Sequence, residues 1–235
     1  MTDIYSLKVQ AQHCDATILL NGFPVVRGNV GAGGYPINPY LAGDNTLEVT
    51  LQARGQGAHF SGGINIAQKG GVVSTDRQQS DLMNFSFSKE LEKGPLTKTF
   101  TFTSTGANFS NRLVSAPILE DKNALLDYAM NVQKAILDKD KEALQRHMKT
   151  KMLDYAKAFG VPDEHMLQEL DNFIHMMFQE KPILFTREQV KATPWCDKRI
   201  WELKVTPDNA LLRTKEGWTM PVFVGLVDGK ITIVR

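Results

Sequence analysis

The stretch from residue 16 to residue 51 constrains the fold most. It runs Thr17-Ile18-Leu19-Leu20, then Asn21-Gly22, then Phe23-Pro24-Val25-Val26. Two β-branched and apolar runs joined by Asn-Gly are a strong short-range hairpin signal. After a glycine-rich gap the sequence passes through Tyr35-Pro36-Ile37-Asn38-Pro39-Tyr40-Leu41 and turns at Ala42-Gly43-Asp44-Asn45. It then enters Thr46-Leu47-Glu48-Val49-Thr50-Leu51, where Leu47, Val49 and Leu51 share one face, as in a half-buried strand. The first half therefore reads as an all-β module built to carry loops, a binder's architecture more than an enzyme's.

Further strands are predicted at residues 5–9, 25–26, 64–67, 82–87, 96–103 and 112–115. The pairs Gly33-Gly34, Gly62-Gly63 and Gly70-Gly71 read as loops or bulges between them. About eight short strands with frequent turns predict a β-sandwich of jelly-roll type.

Fourteen of the eighteen glycines fall before residue 116. Past Ser115-Ala116-Pro117 the apolar period changes from two to about 3.6. This places a β-sandwich domain at 1–115 and an α+β domain at 118–235. Asp121 can cap a helix ending near residue 137, with Leu125, Ala129, Val132 and Ile136 as its stripe. Asp140 can cap a second, ended by Gly160. Pro162 suits the first turn of a third, with Leu167, Leu170, Ile174, Met177 and Phe178 facing inward. Strands at 183–192, 199–206, 211–213, 218–226 and 230–234 then form an antiparallel meander, with turns at Pro207-Asp208-Asn209 and Asp228-Gly229.

Charge narrows the partners. Residues 1–115 carry nine basic and eight acidic side chains, and residues 116–235 carry eighteen of each. With a formal net charge of +1 and no basic run longer than two, direct nucleic-acid binding is not expected. Cys14 and Cys196 are too few for a disulfide framework or a zinc site. No segment approaches the ~20 apolar residues of a membrane span. The first residues, Met1-Thr2-Asp3-Ile4-Tyr5, lack the pattern of a secretory signal. These readings point to the cytoplasm.

Three helices followed by an antiparallel meander resemble the cone-shaped fold of nuclear transport factor 2, over about residues 118–235. Leu20-Asn21-Gly22, followed by the Gly43-Asp44-Asn45-Thr46-Leu47 turn into a strand, is similar to the jelly-roll modules of glycosidases. The size and the pairing of modules, with no catalytic constellation, resemble bacterial immunity proteins, the cytoplasmic antidotes to nuclease toxins delivered by type VI secretion. That resemblance implies a non-catalytic protein that neutralises a cognate toxin by direct binding, with no cofactor. Whether the protein forms a homodimer stays open.

The candidate chemistry is sparse. Residues 28–34 lack Gly-x-Gly-x-x-Gly spacing, and Gly229-Lys230 has no glycine five residues before it, so neither is a nucleotide loop. His13, His59, His147, His165 and His175 show no metal-ligand spacing. Asp171 and His175, four apart on the third helix and off its apolar stripe, read as a solvated ion pair. Asp163, Glu164, Glu169 and Asp171 make that helix the densest acidic surface, suited to the basic groove of a nuclease. Arg54, His59 and Phe60, in a glycine-rich loop over 54–63, form the competing contact face. The alternative function is a small-molecule-binding or lyase- or isomerase-like protein. Its pocket in the second domain would be lined by Tyr128, Tyr155, Trp201 and Trp218.

Overall fold

The computed structural model describes residues 3–67, 80–205 and 209–235. The protein is mixed α+β with antiparallel sheets. It divides into two compact units, Met1–Leu113 with Ala158–Gly160, and Val114–Lys157 with Val161–Arg235.

The first unit holds β1 (Ile4–Gln12), β2 (Cys14–Leu20), β3 (Phe23–Gly28), β4 (Ala32–Pro36), β5 (Asp44–Ala53), β6 (His59–Ala67), β7 (Ser80–Phe87) and β8 (Leu96–Thr103). They form two four-stranded sheets, ordered β4-β1-β6-β7 and β3-β2-β5-β8. Inward residues of both sheets meet in one core. Leu7, Phe60 and Ile64 come from the first sheet, and Ile18, Leu47 and Val49 from the second, all 0% exposed. Alternate positions of β2 and β5 are buried, as a strand with one wet face requires.

The β2–β3 turn is the Asn-Gly hairpin, with φ of 53° at Asn21, 79° at Gly22, and Leu20 paired to Phe23. Asn45 ties the next turn together. Its Oδ1 accepts from Ala42 N at 2.8 Å and from Asn21 Nδ2 at 2.9 Å, and its Nδ2 donates to Gly43 O at 2.8 Å.

The structure corrects three local expectations. Gly33-Gly34 lies inside edge strand β4, which exists because β1 supplies a ladder from Ser6 to Gln10, whatever the low strand propensity of glycine. Gly62-Gly63 lies inside β6, which pairs on both edges. The strand expected at 112–115 is instead a one-turn helix, α1 (Ser110–Leu113), started by Asn108 Oδ1 accepting from Ser110 N at 2.8 Å. The expected loop at Gly70-Gly71 falls outside the described residues, as does the turn at Pro207-Asp208.

The second unit opens with α2 (Lys122–Leu137), α3 (Lys141–Phe159) and α4 (Asp163–Gln179). Asp121 caps α2 through Asn123 N and Ala124 N, and Asp140 caps α3 through Ala143 N at 2.9 Å. Gly160, at φ 61°, ends α3. Pro162 stands one place earlier than expected, at the N-cap of α4. The strands are β9 (Val190–Trp195), β10 (Ile200–Val205), β11 (Asn209–Ala210), β12 (Leu212–Arg213), β13 (Thr219–Met220), β14 (Val222–Val227) and β15 (Lys230–Ile233). β9 pairs with β10, β10 with β14 and β14 with β15, all antiparallel. The apolar stripe of α2 packs on β9 and β10, and Leu144, Leu170 and Ile174 join it in one core with Trp201, Val222 and Val224. Residues 183–189 do not continue β9. Thr186 and Gln189 form a reciprocal capping box that turns Arg187–Gln189 into a 3-10 helix. Among the described residues no helix is long and apolar enough to cross a membrane.

Candidate functional site

A groove of about 900 Å³ lies on the face of the β4-β1-β6-β7 sheet that the core does not use. Antiparallel register builds it. One row across the four strands is Gly34, Lys8, Gly63 and Asn84, and the next is Ala32, Gln10, Ser61 and Ser86. Val9 and Phe85, on the intervening row, are buried in the core, as the alternation of a pleated strand demands. The β4 and β6 positions are small and those of β1 are long, so a trough runs along β6 between Lys8 and Gln10 on one side and Asn84 and Ser86 on the other. Asp81 stands at its end and is held from both sides: Asn65 Nδ2 donates to Oδ1, and Asn84 Nδ2 donates to Oδ2 at 3.0 Å. Gly34 opens the β4 side, since a Cβ there would meet no heavy atom within 4 Å. No signal of composition or spacing marks this groove in the sequence, because its residues come from four strands.

The acids expected on α4 do not act as one surface. Glu164 and Asp171 line a smaller groove of about 390 Å³ with Gln145, Lys149 and Gln168. At about 100° of helix per residue, Glu169 lies well around the axis from Glu164 and Asp171. Asp171 is already engaged. Lys141 Nζ donates to it at 3.0 Å and Gln145 Nε2 at 2.5 Å. Lys141 and Gln145 together hold its carboxyl below the usual carboxylate range. The expected Asp171–His175 ion pair is therefore replaced: His175 Nε2 meets Gln179 Nε2 at 2.9 Å instead. Asp163 and Glu164 are exposed in the first turn of α4, where the helix dipole favours them.

Of the second expected face, Arg54 is exposed and pairs with Asp15 at 3.5 Å. His59 Nδ1 meets Ser88 Oγ at 2.8 Å. Phe60 is a correction. It is 0% exposed and faces Phe85 with ring centroids 6.2 Å apart, so it belongs to the core and not to a contact surface. The period of β6 turns it inward, which the loop reading of Gly62-Gly63 conceals.

The four aromatics expected to line a pocket are tied into separate packing. Trp201 is 2% exposed and its Nε1 donates to Leu119 O at 2.8 Å, so it is a satisfied core residue. Trp218 packs on Phe173, centroids 4.9 Å apart. Tyr155 lies beneath the Lys151 ammonium, 5.9 Å from the ring centroid. Tyr128 is buried, its hydroxyl 2.9 Å from His147 Nδ1 and bonded to Thr232 and the Ile233 backbone. Burial pushes the Tyr128 phenol up and His147 down, so both stay neutral at pH 7. Burial and the nearby Arg235 push Lys151 down to about 8. Nothing in the sequence marks the buried pair Asp154–Arg235, at 2.8 Å and 81 residues apart, or buried Glu202, which accepts from Trp195 Nε1 at 3.4 Å.

Cys14 and Cys196 are free and buried, and burial pushes the Cys196 thiol up to about 12. Among the described residues no three His, Cys, Asp or Glu side chains are placed to hold a metal ion. No family model, no curated protein and no solved structure matches this protein.

Proposed function

We propose that this is a non-catalytic binding protein, and that the groove over β6 is its binding face. One observation carries the reading: about 900 Å³ of open space, framed among the described residues by amides, hydroxyls and one charge of each sign on the strands. In its particular form the proposal is an immunity protein of the cytoplasm that neutralises a cognate, secreted toxin, a nuclease, by direct binding. Exposed Asp163, Glu164 and Glu169 would add local attraction to a basic partner, since a net charge of +1 gives the whole molecule no steering. Two sheets sharing one core support a jelly-roll-like β-sandwich. Helices packed on an antiparallel sheet support a cone-like fold of the nuclear transport factor 2 type.

The test is a growth assay. The gene product encoded beside this protein is expressed in a sensitive host, alone and with it. Arrested growth alone, normal growth together and a stable complex of the two are expected. Harmless expression alone, or arrest that co-expression does not relieve, would reject the immunity reading.

The alternative, a pocketed lyase- or isomerase-like second unit, is disfavoured by how its four aromatics are spent: Trp201 and Tyr128 fill the core, Trp218 packs on Phe173, and Tyr155 lies beneath the Lys151 ammonium.

A further inference from the structure

We infer that the groove over β6 takes an extended, uncharged segment of a partner polypeptide, held through its backbone by the side-chain amides of Gln10 and Asn84. This rests on the binding-protein reading and adds the class of ligand.

Three features argue for a polypeptide backbone. A primary amide is the chemical likeness of a peptide group: it offers one N–H donor edge and one carbonyl acceptor, spaced to meet a backbone carbonyl and N–H together. Two such amides, on exposed Gln10 and Asn84, line the trough, while Asn65 is 6% exposed and its Nδ2 is spent on Asp81. From Ser61 to Asn65 its floor extends about 13 Å, the reach of four to five extended residues. The surface is also open at Gly34, where a Cβ would meet no heavy atom within 4 Å, while the Asn84 amide lies over Gly63.

The alternatives meet obstacles on the same surface. Strand addition to β6 is closed, because β1 takes one edge of its backbone and β7 the other. Among the described residues a nucleic acid or other polyanion would find one cation, Lys8, and the carboxylate of Asp81. Among the described residues a strongly basic segment would find one acid, Asp81, whose two oxygens already accept from Asn65 and Asn84. A sugar ring would seek an aromatic face. Phe85, the aromatic that reaches the groove, stacks on Phe100 at 4.8 Å within the core and offers no free face. Lys8 and Asp81 stand on opposite flanks of β6, so a bound segment would meet opposite charges on its two sides, which fixes its direction.

Gly34 supplies the test. Its φ lies outside the left-handed region and a Cβ there meets nothing, so Gly34→Trp can fill the β4 side of the groove without backbone strain. Full-length wild type and G34W, matched by circular dichroism and thermal midpoint, are panned against a random nine-residue phage-displayed peptide library. Enriched peptides are then resynthesised and measured by calorimetry. The expected result is micromolar binding by wild type of peptides without net charge, weakened at least tenfold in both G34W and Gln10→Leu. The proposal is overturned by any of three results: no enrichment over G34W, enriched peptides that bind G34W equally, or heat of binding with cellohexaose or maltohexaose in place of peptides. A toxin that still binds G34W with full affinity would remove the groove inference and leave the binding-protein reading intact.

Discussion

Asn45 is 3% exposed, yet its amide supports the turn that launches β5 and reaches back to Asn21 in the preceding hairpin. Removing it strands buried groups, each costing about 1–3 kcal/mol. Asn45→Ala is expected to lower unfolding free energy by about 3 kcal/mol in urea titration; a loss under about 1 kcal/mol would mean that water replaces the amide. His147 makes a pH prediction. Burial, and then Arg146, push its imidazole below the ordinary value, while Asp140 pulls the other way. The unfolded protein, with histidine near about 6.5, then binds more protons than the folded one as pH falls through that value. Stability contributed by neutral His147 is present above about 6.5 and is lost below it. The urea midpoint should drop between pH 7.5 and 5.5, and drop less in His147→Gln; equal slopes in the two proteins would count against it. Cys196 gives a simpler check. With its thiol at about 12 and buried, it should not react with Ellman's reagent at pH 7 until the protein unfolds.

Elements differ in how plainly the sequence announces them, and the difference is physical. Local chemistry is legible. Asn21-Gly22 and Asp228-Gly229 specify hairpin turns by the φ they allow, and Asp121 and Asp140 mark helix starts by the N–H groups they satisfy. Asp121→Ala should cost about 1 kcal/mol, read as a lower thermal midpoint with unchanged helicity in the rest of the molecule. Pairing supplied from elsewhere is not legible: β4 is a strand because β1 lies beside it, and Arg187–Gln189 is a turn because Thr186 and Gln189 cap each other. Gly62 combines both cases. It resembles loop punctuation, yet a Cβ there would sit 2.7 Å from the Phe85 ring and 3.0 Å from Lys8 O. The glycine is what lets Phe85 lie flat among Phe60, Phe87 and Phe100. The groove is illegible for the same reason as β4, since Lys8, Gly34, Ser61 and Asn84 meet only once register is set.

At the scale of the whole molecule, two cores share no residue among those described. One is drawn entirely from residues 5–102, the other from residues 119–233. Each contains enough fully buried aliphatic and aromatic side chains to support a domain of ordinary size. Fragments 1–113 and 114–235 are therefore expected to fold separately, each with dispersed amide resonances and a cooperative melt. The first is the more informative. It carries all four strands of the grooved sheet, so the expected outcome is that fragment 1–113 binds the same peptides as the full-length protein, within about threefold. A folded fragment that had lost them would place the binding face elsewhere. A fragment with collapsed amide dispersion would show that its core, though made only of its own residues, is too small to stand alone, as short polypeptides bury a smaller share of their surface.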